Sequence, residues 1–487
     1  MAAPAPTRDR WLGPLLLRLH FYAAILVAPF ILISAASGAL YALTPQLEQV
    51  VYSDELTAPS DGSPLPLAEQ VAAAQEHVGE AAVVTAIRPA AEAGQTTRVM
   101  YADDSLAEGE SRAIMLDPAT AEIRGDLTVY GTSGSLPLRT WVDQLHRTLH
   151  LGEVGRLYSE LSASWLGVVA AAGLGLWVRR ARRARRARDV LLPDLRARGY
   201  RRTLSLHSSV GAWVLLGALF LSATGITWSR YGGGNIGMIR EAFGFTTAAV
   251  STELPQSSTA DTDMDDMDGM EDMEGMEGGE HSGHGAPQGA AAHHGADGTD
   301  GAAAADLGEI DRVLDAGRAA NIDTGLVEIR PPGDESSAWV VEEIQRSYPT
   351  KVDAVAIDGG TLEVVDRTDF AEADLAAKLT RWGIDLHMGT MFGLVNQIIL
   401  FVIASALVVM IIWGYLMWSQ RRPTRGGRGP AKPPRRGALG RAPWWGTALV
   451  LLVAVGIGLM LPLMGVSLAA FVLVDAIAGR VRRRRLG

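Results

Sequence analysis

The chain has 487 residues with no cysteine, which excludes disulfides, thiolate-held iron–sulfur clusters and covalently attached c-type haem. Its mean hydropathy is positive, and several apolar runs reach the roughly 18 residues that mark a membrane-spanning helix. The net charge of −10, from 44 Lys and Arg against 54 Asp and Glu, averages strongly basic segments with strongly acidic ones and does not describe either face of the molecule.

In chain order, residues 1–43 form an N-terminal tail and a first transmembrane helix near 15–43. Arg8, Arg10, the apolar run and Ser34-Ala35-Ala36-Ser37 together resemble a cleaved signal peptide. The run continues to Leu43, and cleavage would discard His20, so the segment is expected to be retained. Residues 44–159 read as a first extracytoplasmic domain. It has a helix over Leu67 to His77, short strands at Ala82 to Arg88, Arg98 to Tyr101 and Arg112 to Leu116, and a turn at Asp117-Pro118-Ala119-Thr120 leading into Ala121 to Ile123. A second spanning helix, 160–178, is followed by a basic loop, 179–202, with seven arginines between Arg179 and Arg188. The third helix is 203–228.

Residues 229–386 form a second outer domain in the same order. A helix lies around Leu307 to Ala320, strands at Leu326 to Arg330 and Ala338 to Glu342, and Ala356-Ile357 leads into Asp358-Gly359-Gly360-Thr361. The fourth helix occupies 387–418, with its apolar core from about 391, and a basic loop covers 419–443. Residues 444–478 hold two short apolar helices, 444–461 and 463–478. They are expected to form a hairpin, because 35 residues is too long for one crossing. A basic tail, 479–487, ends the sequence. Placing the arginine-rich segments in the cytoplasm puts both termini inside and the acidic segments 44–159 and 229–386 outside.

Histidines carry the main chemical signal. Leu-x-Leu-His opens two helices, at His20 and His207, and Leu-His-x-Gly precedes two others, at His150 and His387. The offsets repeat: Ser37-Gly38 follow His20 by the same count that separates Thr224-Gly225 from His207. Leu157 and Leu394 stand equally far beyond His150 and His387. Asp117, Thr120 and Glu122 superpose on Asp358, Thr361 and Glu363 without a gap. The chain therefore reads as an internal tandem repeat of helix, outer domain and helix. Ionisable groups within reach of the bilayer are costly and default to function. Four at matched positions suggest paired axial ligands for b-type haem, His20 with His207 on the inner side and His150 with His387 on the outer. His146 lies one helical turn before His150 and shares its face if that segment is helical, so it is an alternative ligand, a ligand of a second haem, or a group beside the site. Gly38 and Gly225 fit close helix packing.

Residues 261–300 differ from everything around them. Met264, Met267, Met270, Met273 and Met276 recur every third residue among Asp and Glu, and His281, His284, His293 and His294 follow in a Gly/Ala background. The composition is that of a solvated acidic loop. Thioethers suit Cu(I) and imidazoles Cu(II), so copper, and after it iron, is the metal such an insert would take.

The helix-then-strands unit with its Asp-x-x-Thr hairpin, flanked by the two histidine phrases, resembles the PepSY-associated transmembrane family over roughly residues 15–420 and the C-terminal helix pair, with the insert at 261–300 outside the resemblance. That family includes iron-regulated membrane proteins of the PiuB type and ferric-siderophore reductases of the FoxB type. The resemblance implies an α-helical integral membrane protein of about six helices with two small α+β PepSY-like outer domains in the bacterial cytoplasmic membrane. It further implies two haems b that carry electrons outward to an external ferric chelate or siderophore. No Gly-x-Gly-x-x-Gly nucleotide fingerprint follows a strand, so the electron donor is a separate cytoplasmic protein or a quinol. Membrane lipid is an expected partner and nucleic acid is not. Two other readings stand beside this one: a copper-handling or cupric-reducing membrane protein using the Met/His insert, and an interaction module in which the outer domains restrain a partner.

Overall fold

The computed structural model describes residues 11–245, 249–254, 306–421, 434 and 436–484. The Met/His insert therefore lies outside the described residues. The chain begins with α1 (Leu12–Leu26) and α2 (Ala28–Tyr41), two halves of one apolar run bent by 65°. Pro29 accounts for the break: it has no N–H to give the preceding turn, and its ring displaces the carbonyl four residues back. That carbonyl, Ile25 O, accepts a hydrogen bond from the Tyr415 hydroxyl at 3.0 Å. Two short helices, α3 (Thr44–Val51) and α4 (Ser53–Leu56), then lead to α5 (Leu67–Val78).

Strands β1 (Val84–Arg88), β2 (Thr97–Tyr101), β3 (Glu110–Leu116) and β4 (Ile123–Tyr130) form an antiparallel meander. After it come α6 (Pro137–Thr148), the long α7 (Gly152–Ala181), the single turn α8 (Arg188–Leu191), α9 (Tyr200–Thr227) and α10 (Tyr231–Ala242). The second outer segment supplies α11 (Ile310–Ala320) and a second meander: β5 (Val327–Arg330), β6 (Trp339–Glu343), β7 (Ala354–Ile357) and β8 (Val364–Thr368). The chain closes with α12 (Leu375–Met388), α13 (Gly393–Gln420), α14 (Trp444–Met460) and α15 (Pro462–Arg484).

The expected pair of separate outer domains is corrected by the sheet. All eight strands belong to one antiparallel sheet of order β4-β3-β2-β1-β5-β6-β7-β8, joined where Ile87 of β1 faces Ile329 of β5. Each meander alone would expose an edge strand, and pairing the two edges removes both liabilities. One apolar core crosses the seam: Val71 of α5 and Val313 of α11 pack on Ile87, Val99, Ile329 and Val341, all fully buried. The helices are also interlocked. Pro66 cannot cap α5 with a side chain, so Asp311 of α11 does it, accepting from Leu67 N at 2.7 Å and Ala68 N at 3.0 Å. The two hairpin turns match in detail, with a bulge beside Leu116 and beside Ile357, and left-handed backbone at Ala121 (φ 57°) and Leu362 (φ 61°).

Strand alternation gives the sheet a second, mixed face. Ala86 and Met100 there pack with Tyr52 and Leu56, while Arg88, Arg98, Glu328, Arg330 and Glu342 share that face and point toward α3 and α6.

Among the described residues, four helices are long and apolar enough to cross a membrane: α7, α9, α13 and Pro462–Val481 of α15. Counting the bent α1–α2 pair as one span makes five. The sixth expected span, α14, has 17 residues, about 26 Å of helix against a core of roughly 30 Å. The hairpin expected at 444–478 is present. A Cβ at Gly465 would lie 2.8 Å from the Gly458 Cα, a proximity that two residues seven apart reach only if the chain reverses.

Candidate functional site

Two pairs of histidines lie near one another inside the helix bundle, at opposite ends. Far from the sheet, His20 of α1 and His207 of α9 stand with ring centroids 6.3 Å apart and planes at 79°. His20 Nδ1 donates to Val169 O of α7 at 3.0 Å, and His207 Nδ1 donates to Met410 O of α13 at 3.1 Å. The first carbonyl is reachable because the residue one turn on is glycine: a Cβ on Gly173 would already lie 3.3 Å from His20 Cε1, whereas a Cβ on Gly414, one turn beyond Met410, would meet nothing within 4 Å.

The pair nearest the sheet is His146 of α6 and His387 of α12. His146 Nδ1 meets Ser37 Oγ at 3.0 Å and His387 Nδ1 meets Thr224 Oγ1 at 2.5 Å. Each hydroxyl has one proton and spends it on its own helix, Ser37 on Ile33 O and Thr224 on Phe220 O, both at 2.8 Å. With each hydroxyl proton on its own helix, the hydroxyl accepts from the ring and the imidazole proton is assigned to Nδ1. Burial pushes His146 below the usual histidine range. It pushes His387 down to about 3, with the adjacent His146 as the second cause. Trp228 packs edge-on against His387 at 5.0 Å. Gly38 lets α2 approach, since a Cβ there would sit 3.1 Å from His146 Cε1, whereas Gly225 packs against Ala163.

His150 does not join this set. The helix α6 ends at Thr148, and His150 follows in left-handed backbone (φ 55°), exposed and lying 5.1 Å from the Trp141 ring. The residue brought together with His387 is His146. A signal in the sequence points the same way: Trp141 precedes His146, and Trp382 precedes His387, by five residues each. The Leu-His-x-Gly phrases do not correspond in the fold: α6 ends before His150 with Leu149 in left-handed backbone, whereas α12 runs through His387 to a left-handed Gly389.

All four paired rings thus have Nδ1 tied down, His20 and His207 by a carbonyl and His146 and His387 by a hydroxyl, with Nε2 bare and without a hydrogen bond to any described residue. A fixed Nδ1–H is the arrangement that orients a metal-binding imidazole and raises its basicity. The ring centroids of His20 and His207, 6.3 Å apart, leave a separation at which both Nε2 atoms could hold one metal with bonds of about 2 Å. Among the described residues no cluster of three or more His, Cys, Asp or Glu could hold a bare metal ion. Two histidines suffice only where another group supplies the remaining ligands, as a porphyrin does. The residues present fit haem b. The sequence profile of the PepSY-associated TM region matches residues 17–421. The chain belongs to that family. This member of the PepSY-associated TM family found no match among curated proteins.

Family membership covers both histidine pairs and the whole sheet. Met264, Met267, Met270, Met273, Met276, His281, His284, His293 and His294 also fall within the matched span but outside the described residues. Asp475 of α15, an isolated acid in the sequence, pairs with Arg18 of α1 at 2.5 Å and with Arg436 at 3.0 Å.

Proposed function

We propose that this protein is a haem-b electron-transfer protein of the cytoplasmic membrane that reduces a ferric chelate on the sheet side. The observation that carries the reading is the common state of His20, His207, His146 and His387, each with Nδ1 occupied and Nε2 free, in two pairs. Haem b held by such pairs supplies a reversible one-electron iron couple. Two histidines at each site would hold the haem iron and leave it no open position, which suits electron transfer over oxygen chemistry.

Position supports the direction. His207 and Thr224, the partner of His387, are 17 residues apart on the unbroken helix α9, about 25 Å along its axis and most of a membrane core. The ends of α7 and α13 farthest from the sheet carry Arg179, Arg180 and Arg421, and positive charge of that kind faces the cytoplasm. The sheet then lies outside. One electron from a cytoplasmic donor or quinol converts bound Fe(III) to Fe(II), which hard-oxygen chelators hold far less tightly, and the iron leaves the chelate. Both outer meanders, through the shared sheet, roof the His146–His387 pair.

The test is a pyridine haemochrome assay with a reduced-minus-oxidised spectrum of the purified full-length protein. About two haems b per chain are expected, one lost in His207→Ala and the other in His387→Ala. Protein free of haem after expression in a haem-replete host would overturn the reading.

A further inference from the structure

The mixed face of the sheet holds more positive charge than it neutralises. Four arginines there are matched one to one: Arg88 with Glu328 at 2.6 Å, Arg330 with Glu342 at 3.0 Å, Arg381 with Asp385 at 3.0 Å and Arg147 with Asp143 at 3.3 Å. Three more, Arg98, Arg139 and Arg346, form no ion pair with a described residue. Each uses little of its five-donor fork. Arg98 gives one bond to Gly134 O at 2.7 Å, Arg139 one to the Tyr41 hydroxyl at 3.0 Å, and Arg346 one long contact to Thr132 Oγ1 at 3.4 Å. All three are half-buried, so they keep a route to solvent while standing deep between sheet and helices.

Proximity costs two of these groups. Burial and the neighbouring Arg88 push Arg98 down to about 10, and burial with Arg381 does the same to Arg346, whereas for Arg139 burial is outweighed by Tyr41, Glu48 and Asp143, which hold it above its usual value. The carboxylate nearest to Arg98 and Arg139, Glu48, is itself pushed up by burial, and its Oε1 has no hydrogen-bond partner. A natural fold rarely leaves uncompensated buried charge without a counter-ion. The three come from β2, from the N-terminal turn of α6 and from the segment after β6, so they draw both meanders to one place. Arg139 also lies seven residues before His146 on α6, two turns or about 10 Å above it on the same face.

We propose that Arg98, Arg139 and Arg346 form an anion site between the sheet and the His146–His387 pair, built for a ligand carrying at least two carboxylates. Guanidinium forks match carboxylates in bidentate geometry, and two or more charges are needed to balance the cluster. Two sources offer that chemistry: an external polycarboxylate chelate of iron, or the propionates of a haem held by the histidine pair. The second source rests on the function proposed above; the site itself does not.

The experiment titrates full-length protein with gallium(III) citrate, a redox-inert probe of ferric citrate, and measures haem dissociation and midpoint potentials in parallel. Variants are Arg98→Gln, Arg346→Gln and the charge-keeping Arg346→Lys, with Arg112→Gln, which removes the exposed Arg112–Asp126 pair on the other side of the sheet strand, as control. A loss of tenfold or more in gallium citrate affinity, with haem unaltered, supports the site with the external chelate as its ligand. Faster loss of one haem together with a shift of one midpoint potential, and no change with gallium citrate, supports it with propionates as the ligand. In either case Arg346→Gln should leave the thermal midpoint of the ligand-free protein unchanged or higher, because it removes a repelled charge, whereas a purely structural arginine would lower it. The proposal is overturned if both Gln variants keep gallium citrate affinity, haem dissociation and potentials within twofold of the parent. If the parent itself carries no haem, the function proposed above fails, and the gallium citrate titration still decides this site.

Discussion

Replacing Thr224 by valine tests the chemistry of the sheet-side pair without touching a proposed ligand. The change keeps shape and removes one acceptor, the hydroxyl that holds His387 Nδ1–H at 2.5 Å. A buried donor left unmet costs about 1–3 kcal/mol. If that cost falls on the bound state, it corresponds to roughly 5- to 150-fold weaker haem binding, at 1.4 kcal/mol per factor of ten. Outer partners of metal-bound histidines typically contribute about 10- to 100-fold, so the two routes agree. The assay is haem transfer from the purified protein to excess apomyoglobin, followed optically. Half of the haem should leave faster from Thr224→Val, while the other half keeps the parent rate. Thr224→Ser keeps the hydroxyl and should behave as the parent. Equal release from the Val and Ser variants would refute the reasoning, because Nδ1 would then not be what positions the ring. Ser37→Ala is the same experiment on His146.

Three further outcomes are expected. His146→Ala should lose one haem per chain by the pyridine haemochrome assay, while His150→Ala, altering an exposed turn residue, should lose none; the reverse result would restore the pairing suggested by Leu-His-x-Gly. Ile329→Ala should destabilise the protein by about 2–5 kcal/mol in detergent unfolding, since Ile329 is fully buried at the seam of the sheet, and a loss under about 1 kcal/mol would mean that the seam contributes little. Asp117→Asn should matter at neutral pH and not in acid. Burial raises the Asp117 carboxyl, but bonds from the Ser60 hydroxyl and the backbone N–H groups of Ala119 and Ser60 outweigh it and hold the group below the usual carboxylate range. A depressed folded pKa gives stability that is present above the unfolded value of about 3.9 and is lost as pH falls through the folded one. The parent and variant melting curves should therefore converge at low pH, and a constant gap would rule out ionisation as the cause.

Much of this was readable from periodicity and spacing. Helices over Leu67 to His77 and Leu307 to Ala320, and the strand cores at β1–β3 and β5–β7, follow from alternation and turn chemistry and lie within a few residues of the observed elements, whereas β4 and β8 carry no comparable signal. Apolar length gave the long spans. Joining the meanders was not readable, because pairing Ile87 with Ile329 is a contact between residues about 240 apart, and each strand alone looks like any edge. The amphipathic helices α6 and α12 were also missed: their polar faces look like loop sequence until the sheet above them and the bundle below supply two environments. The tautomers were beyond reach, since they depend on which carbonyl or hydroxyl a neighbouring helix presents.

The cap that Asp311 places on α5 has a consequence in time. Leu67 leaves the ribosome about 240 residues ahead of Asp311, and at roughly 5–20 residues per second that is roughly 12 to 50 seconds of synthesis. During that interval the first meander has an open strand edge at β1 and a helix whose first amides have no acceptor. A chain that stalls after α9 would present both to proteases and to its own neighbours. Rapid elongation through the second half, or a factor that holds the first, would shorten or cover that exposure.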